Sequence, residues 1–86
     1  MSISRRIGRF YIDRKLVDDQ PEMVMLIMAE CIVVECKLQF VRNRFEYWAV
    51  SPVFDELEPG QIEPDYSVNV YTGGAKPEVR FSRISA

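Results

Sequence analysis

The 86 residues include no histidine, so the side chain most often used as a general acid and base near neutral pH is missing, and Ser–His and Cys–His nucleophile pairs are excluded. Carboxylates and two thiols are what remain for chemistry. Asp55, Glu56 and Glu58 lie close enough to share a divalent cation through oxygen, but their spacing is not that of an EF-hand loop, and a solvated acidic loop explains them better. Asp18 and Asp19 precede an apolar segment and read as helix N-terminal acids facing the positive end of a macrodipole. Cys31 and Cys36 stand an odd number of residues apart, on opposite faces of a strand, so they cannot bridge within it. Two thiols without histidine cannot form a four-ligand zinc site either, and both read as reduced, partly buried cysteines. Gly73-Gly74 has neither the following helix nor the lysine of a phosphate-binding loop. No catalytic residue, metal or cofactor is expected, and the sequence points to a protein that binds rather than an enzyme.

Binding chemistry is better represented. Residues 1–15 carry Arg5, Arg6, Arg9, Arg14 and Lys15 against Asp13 alone, whereas residues 51–75 carry five acids and no base. The net charge of −2 therefore hides a dipolar distribution, which steers partners without dictating a fold. Beside Phe10 and Tyr11, the basic group offers phosphate contacts and a stacking surface to a nucleic acid. An isoelectric point near 5.1 is not that of a dedicated nucleic-acid domain, so a protein partner, or a second copy in a homodimer, is the stronger expectation.

Two surfaces recommend themselves. Trp48, with Val33, Val41 and Val50, falls on the outward side of a predicted hairpin among Glu35, Lys37, Gln39 and Glu46, and an aromatic anchor ringed by charge suits an interface. The alternative is that residues 52–65 fold back over Trp48 within the same chain. That segment is acidic and holds Pro52, Pro59 and Pro64, so it reads as a packed loop anchored by Phe54, Leu57 and Ile62. Its Asp55, Glu56, Glu58 and Glu63 form a candidate surface for a basic target.

The elements that must position these residues follow from hydrophobic period. Strict alternation of Ile32, Val34, Cys36, Leu38 and Phe40 with polar residues predicts a strand over 31–42, paired to a strand over 45–51 through an Asn43-Arg44 turn. That turn sets Phe40 opposite Tyr47 and Leu38 opposite Ala49. A second hairpin, 66–72 with 78–84, turns at Gly73-Gly74, and residues 7–12 add a possible fifth strand with Phe10 and Ile12 inward. Between them, Asp19-Gln20-Pro21-Glu22 starts a helix over 20–30 that is apolar nearly all round, hence buried. The expected fold is α+β: one buried helix on a four- to five-stranded antiparallel sheet built from two hairpins. Its predicted core is Met23, Ile27, Val34, Leu38, Phe40, Tyr47, Val68, Val70, Val79 and Phe81.

Length and composition agree with one small domain over 1–86. A hydrophobic fraction of 48% and a charged fraction of 28% are those of a globular chain. No apolar run approaches the roughly 20 residues of a membrane span, and Arg5, Arg6 and Arg9 are not followed by the apolar stretch of a signal peptide, so the expected location is cytoplasmic. The stretch Phe45-Glu46-Tyr47-Trp48-Ala49-Val50-Ser51-Pro52-Val53-Phe54-Asp55-Glu56, followed by Glu58-Pro59-Gly60 and Pro64-Asp65-Tyr66, resembles small accessory proteins encoded by bacteriophages and prophages. The resemblance implies docking on a host or phage target, in the host cytoplasm, as an inhibitor or adaptor; it transfers no catalytic residue.

Overall fold

In the computed structural model, which describes residues 5–84, the strand nearest the N-terminus lies at the centre of the sheet. Five strands, β1 (Ile7–Asp13), β2 (Ile32–Gln39), β3 (Arg44–Val50), β4 (Asp65–Tyr71) and β5 (Glu78–Arg83), lie in the order β2-β3-β1-β4-β5. Two short helices, α1 (Arg14–Asp19) and α2 (Pro21–Met28), connect β1 to β2. The protein is thus α+β, as the alternation of apolar residues predicts.

The sheet is mixed rather than purely antiparallel. β1 pairs with β3 antiparallel along its whole length, from Ile7 opposite Val50 to Asp13 opposite Arg44, but with β4 it pairs parallel, through Arg9–Asp65 and Phe10–Tyr66. The physical reason is the long connection 51–64, which carries the chain back before β4 begins and so reverses the direction a hairpin would impose. Period-2 alternation records which side chains share a face, not which way the strand runs.

The β2–β3 hairpin forms in a different register from the one expected. Gln39 faces Arg44, Leu38 faces Phe45 and Cys36 faces Tyr47, so the loop is four residues, Phe40 to Asn43, instead of a two-residue turn. Asn43 does take the left-handed conformation, with φ 51°, but as the last loop residue. A bulge between Val33 and Glu35 adds an irregularity at Val34. Two predicted core residues consequently lie outside: Phe40 in the loop is 81% exposed and Val34 at the bulge 60%. Because the register differs by an even number of residues, Leu38 keeps its face and is half-buried.

The expected helix over 20–30 is α2, with Pro21 in its first turn; α1, which the sequence did not announce, precedes it and is separated from it at Gln20, whose φ of −136° and ψ of 63° are not helical because Pro21 follows. Only Ile27 of α2 is fully buried, and Met25 is 71% exposed. The core centres on Phe10, Ile12, Ile27, Ala49, Phe54 and Tyr66, with Tyr47, Val68, Val70, Val79 and Phe81 packed around it as predicted. Met23 is half-buried at its margin. Phe54, from the long connection, is the wedge that joins the two halves of the sheet. Its ring stacks on Tyr66 at 4.6 Å and meets Phe81 edge-on at 5.0 Å. Space for it exists because residue 8 is glycine: a Cβ there would come within 2.7 Å of the Tyr66 ring and 3.0 Å of Phe54.

Candidate interaction surface

The helices and Phe54 pack on one face of the sheet, the face of Phe10, Ile12 and Ala49. The opposite face carries Arg9 and Tyr11 of β1, Lys37 and Gln39 of β2, Arg44, Glu46 and Trp48 of β3, and Asp65 of β4, brought side by side by the β1–β3 and β2–β3 registers. These groups satisfy one another. Arg9 donates to Asp65 and pairs with Glu46 at 3.4 Å; Gln39 donates to Glu46 and accepts from Arg44 Nε at 3.1 Å. The Arg44 guanidinium lies 3.7 Å from the Tyr11 ring centroid, a cation–π contact. Hydrogen bonding to Asp65 raises the Arg9 pKa above its ordinary value, against the opposing effect of burial. Among the described residues no buried side-chain nitrogen or oxygen lacks a partner. Toward the middle of the sheet this face is a lattice of mutually paired polar groups.

Trp48 belongs to that lattice. Its indole N–H donates to Glu63 Oε1 at 2.9 Å and its ring lies 5.2 Å from Lys37 Nζ, leaving it half-buried. The end of the 52–65 loop therefore does reach back to the tryptophan. Val50 is buried and Val41, at the hairpin tip, is fully exposed, so Trp48, Val41 and Val50 do not form one apolar patch.

The acidic loop is likewise partly engaged. Asp55 accepts from Arg83 Nη1 at 2.9 Å while its backbone N–H donates to the Tyr66 hydroxyl, and Glu63 accepts from Trp48. Glu56 and Glu58 are exposed, beside a turn in which the Glu58 N–H donates to Gln61 and Gly60 takes a φ of 87°. Of the three expected anchors, Phe54 is buried, Leu57 is half-buried and donates its N–H to the Arg5 carbonyl, and Ile62 is 83% exposed.

The five basic residues are dispersed. Arg5 and Arg6 hold the loop, the latter donating to the Phe54 carbonyl at 2.9 Å; Arg9 is enclosed by acids; and Arg14 and Lys15 lie exposed on α1, at the far end of β1. An open hollow of about 240 Å³ beside α1, lined by Asp13, Lys15, Leu16, Asp19 and Gln20, falls below the roughly 300 Å³ at which small-molecule sites begin. Among the described residues no three Cys, Asp or Glu side chains converge on a metal-holding arrangement, and no helix is long and apolar enough to cross a membrane.

What remains open is the β2 edge. β2 ends the sheet, so one side of its main chain has no strand partner, and Ile32, Val33, Val34 and Cys36 are all exposed along it. With Phe40 and Val41 in the adjoining loop, residues 32–41 gather the largest concentration of exposed apolar side chains. Sequence reasoning placed these residues in a strand but took Val34 and Phe40 for core, since alternation cannot show that a strand is at an edge. Cys31, just before β2, is different: its thiol donates to the Ile27 carbonyl at 3.7 Å, and burial followed by the charge of Glu30 pushes its pKa up. Compared with known proteins, the chain matches no family model, no curated protein and no solved structure.

Proposed function

We infer that this is a binding protein without catalytic activity, which acts by protein–protein interaction through its β2 edge. The observation that carries the reading is an edge strand whose exposed side chains include Ile32, Val33 and Val34 and whose main-chain groups face outward unpaired. Such an edge accepts a further strand: hydrogen bonds along the main chain give affinity, and the alternating side chains give specificity. Asp55 and Glu63 are committed within the chain, so Glu56 and Glu58 act only at long range, steering a basic partner toward the molecule in a salt-dependent way. A role as adaptor or inhibitor of a host or phage protein is what the resemblance to phage accessory proteins implies. The test is site-specific photo-crosslinking in bacterial cells, with benzoylphenylalanine in place of Val34 on β2 or Arg80 on β5. Discrete adducts from the β2 position and none from β5 are expected. Adducts from neither position, or equally from both, would overturn the reading.

A further inference from the structure

The β2 sequence carries information about what pairs with it. We propose that the occupant is a second copy of this chain, its β2 running antiparallel to the first across a two-fold axis through Cys36, so that two five-stranded sheets join into one of ten strands. The proposal rests on the reading of β2 as the interacting edge and names the partner.

The register follows from symmetry and charge. A two-fold axis normal to the sheet keeps each face of one copy level with the same face of the other, so a residue can only oppose one that shares its face. Glu35 and Lys37 share the outer face, where they oppose Trp48 and Glu46 of β3. With the axis at Cys36, Glu35 of each copy stands opposite Lys37 of the other, twice over. Moving the axis one residue either way sets Glu35 against Glu35 or Lys37 against Lys37, like charges directly opposite, which destabilise a strand pair. The same Cys36-centred register brings Val34, at the bulge, level with the second copy's Leu38, covering a side chain that is 60% exposed in the single chain. In the isolated chain Lys37 Nζ reaches Glu35 at only 3.8 Å, with both side chains more than half exposed, so these charges are free to pair across the axis. Because the pairing uses β2 twice and leaves β5 unused, it closes at two copies and does not propagate.

The experiment is a charge-swap series, E35K and K37E, followed by analytical ultracentrifugation. Wild type is expected to sediment at twice the 10.0 kDa chain mass. Each single swap turns two attractive cross-strand pairs into two repulsive ones and is expected to raise the dimer dissociation constant roughly tenfold. Mixing the two variants restores every opposite-charge pair, so the mixture is expected to form a heterodimer of near wild-type affinity. Both positions are exposed, and unchanged circular dichroism and melting temperature in the variants will show that folding is intact. As a second readout, alkylation of Cys36 is expected to slow as wild-type protein is concentrated, while that of Cys31 does not. A monomer at all concentrations, a dimer indifferent to the swaps, or open-ended aggregates would each overturn the proposal. If the chain is monomeric yet the Val34 crosslinker traps a different protein, the edge reading survives and the second copy does not; if nothing is trapped, both fall.

Discussion

The two edges of the sheet are built from different materials. β5 follows Pro77, exposes Glu78, Arg80, Ser82 and Arg83, and locks Arg80 onto Glu78 at 3.0 Å and against the Tyr71 ring. Proline and charge of this kind are how sheet edges are kept from pairing. β2 has only Glu35, Lys37 and a bulge for protection, and exposes a run of three branched aliphatic residues, Ile32 to Val34. A domain of 86 residues with two open edges would risk unlimited association; one guarded edge and one apolar edge permit a single, terminating contact. The edges also differ in how they are anchored. β2 is fastened by a full antiparallel ladder to β3, whereas the β4–β5 hairpin joins β1 through two residue pairs and the Phe54 wedge.

That difference in anchorage can be broken first at its largest element. Phe54→Ala removes a fully buried ring and should cost about 3–5 kcal/mol. In hydrogen exchange the β4–β5 amides should lose protection before those of β2–β3; uniform loss would show that the two halves are one cooperative unit. Gly8→Ala attacks the same joint from the other side. Its added methyl forces the Tyr66 and Phe54 rings apart, and chemical denaturation should register about 1–3 kcal/mol of destabilisation. Removing the indole bond with Glu63→Ala should cost about 1 kcal/mol and shift Trp48 emission to the red, without changing association. Val34→Lys puts a charge on the β2 edge at an exposed site and should alter monomer stability by less than about 0.5 kcal/mol while impairing edge pairing. A large drop in melting temperature would instead show that Val34 supports the fold. Smallest of all is the contrast between the thiols. In dilute monomer, iodoacetamide should modify exposed Cys36 ahead of Cys31, because burial and Glu30 both disfavour the Cys31 thiolate; peptide mass spectrometry reads the order.

Local signals in the sequence fared better than long-range ones. Alternation in β2, β3, β4 and β5 and the inward Phe10 and Ile12 were legible because each depends on neighbours two residues apart. The register of the β2–β3 hairpin was not, since displacing it by an even number of residues leaves the facial pattern intact and Asn43 suits either loop. α1 was missed because Arg14-Lys15 followed by Asp18-Asp19 reads as a polar connection, and only Leu16 and Val17 pack toward the core. The candidate surface was legible in composition but not in place. Asp55 and Glu63 of the acidic loop meet Arg83 and Trp48, partners far off in sequence, and the exposure of β2 depends on sheet order.

The central position of β1 sets the order in which the chain can acquire structure. Among the described strands β1 comes first in the chain, yet its antiparallel partner runs from Arg44 to Val50 and its parallel partner begins at Asp65, so both of its pairings span long stretches of sequence. Closing those long loops is entropically slow, and folds dominated by such pairings reach the native state orders of magnitude later than locally wired ones. The β2–β3 hairpin needs only a four-residue loop, and hairpins close in about 1–10 μs, so its two strands can meet sooner than either meets a strand distant in sequence. It is the docking of β1 along β3 that leaves β2 as the one uncovered edge of the hairpin in the finished sheet.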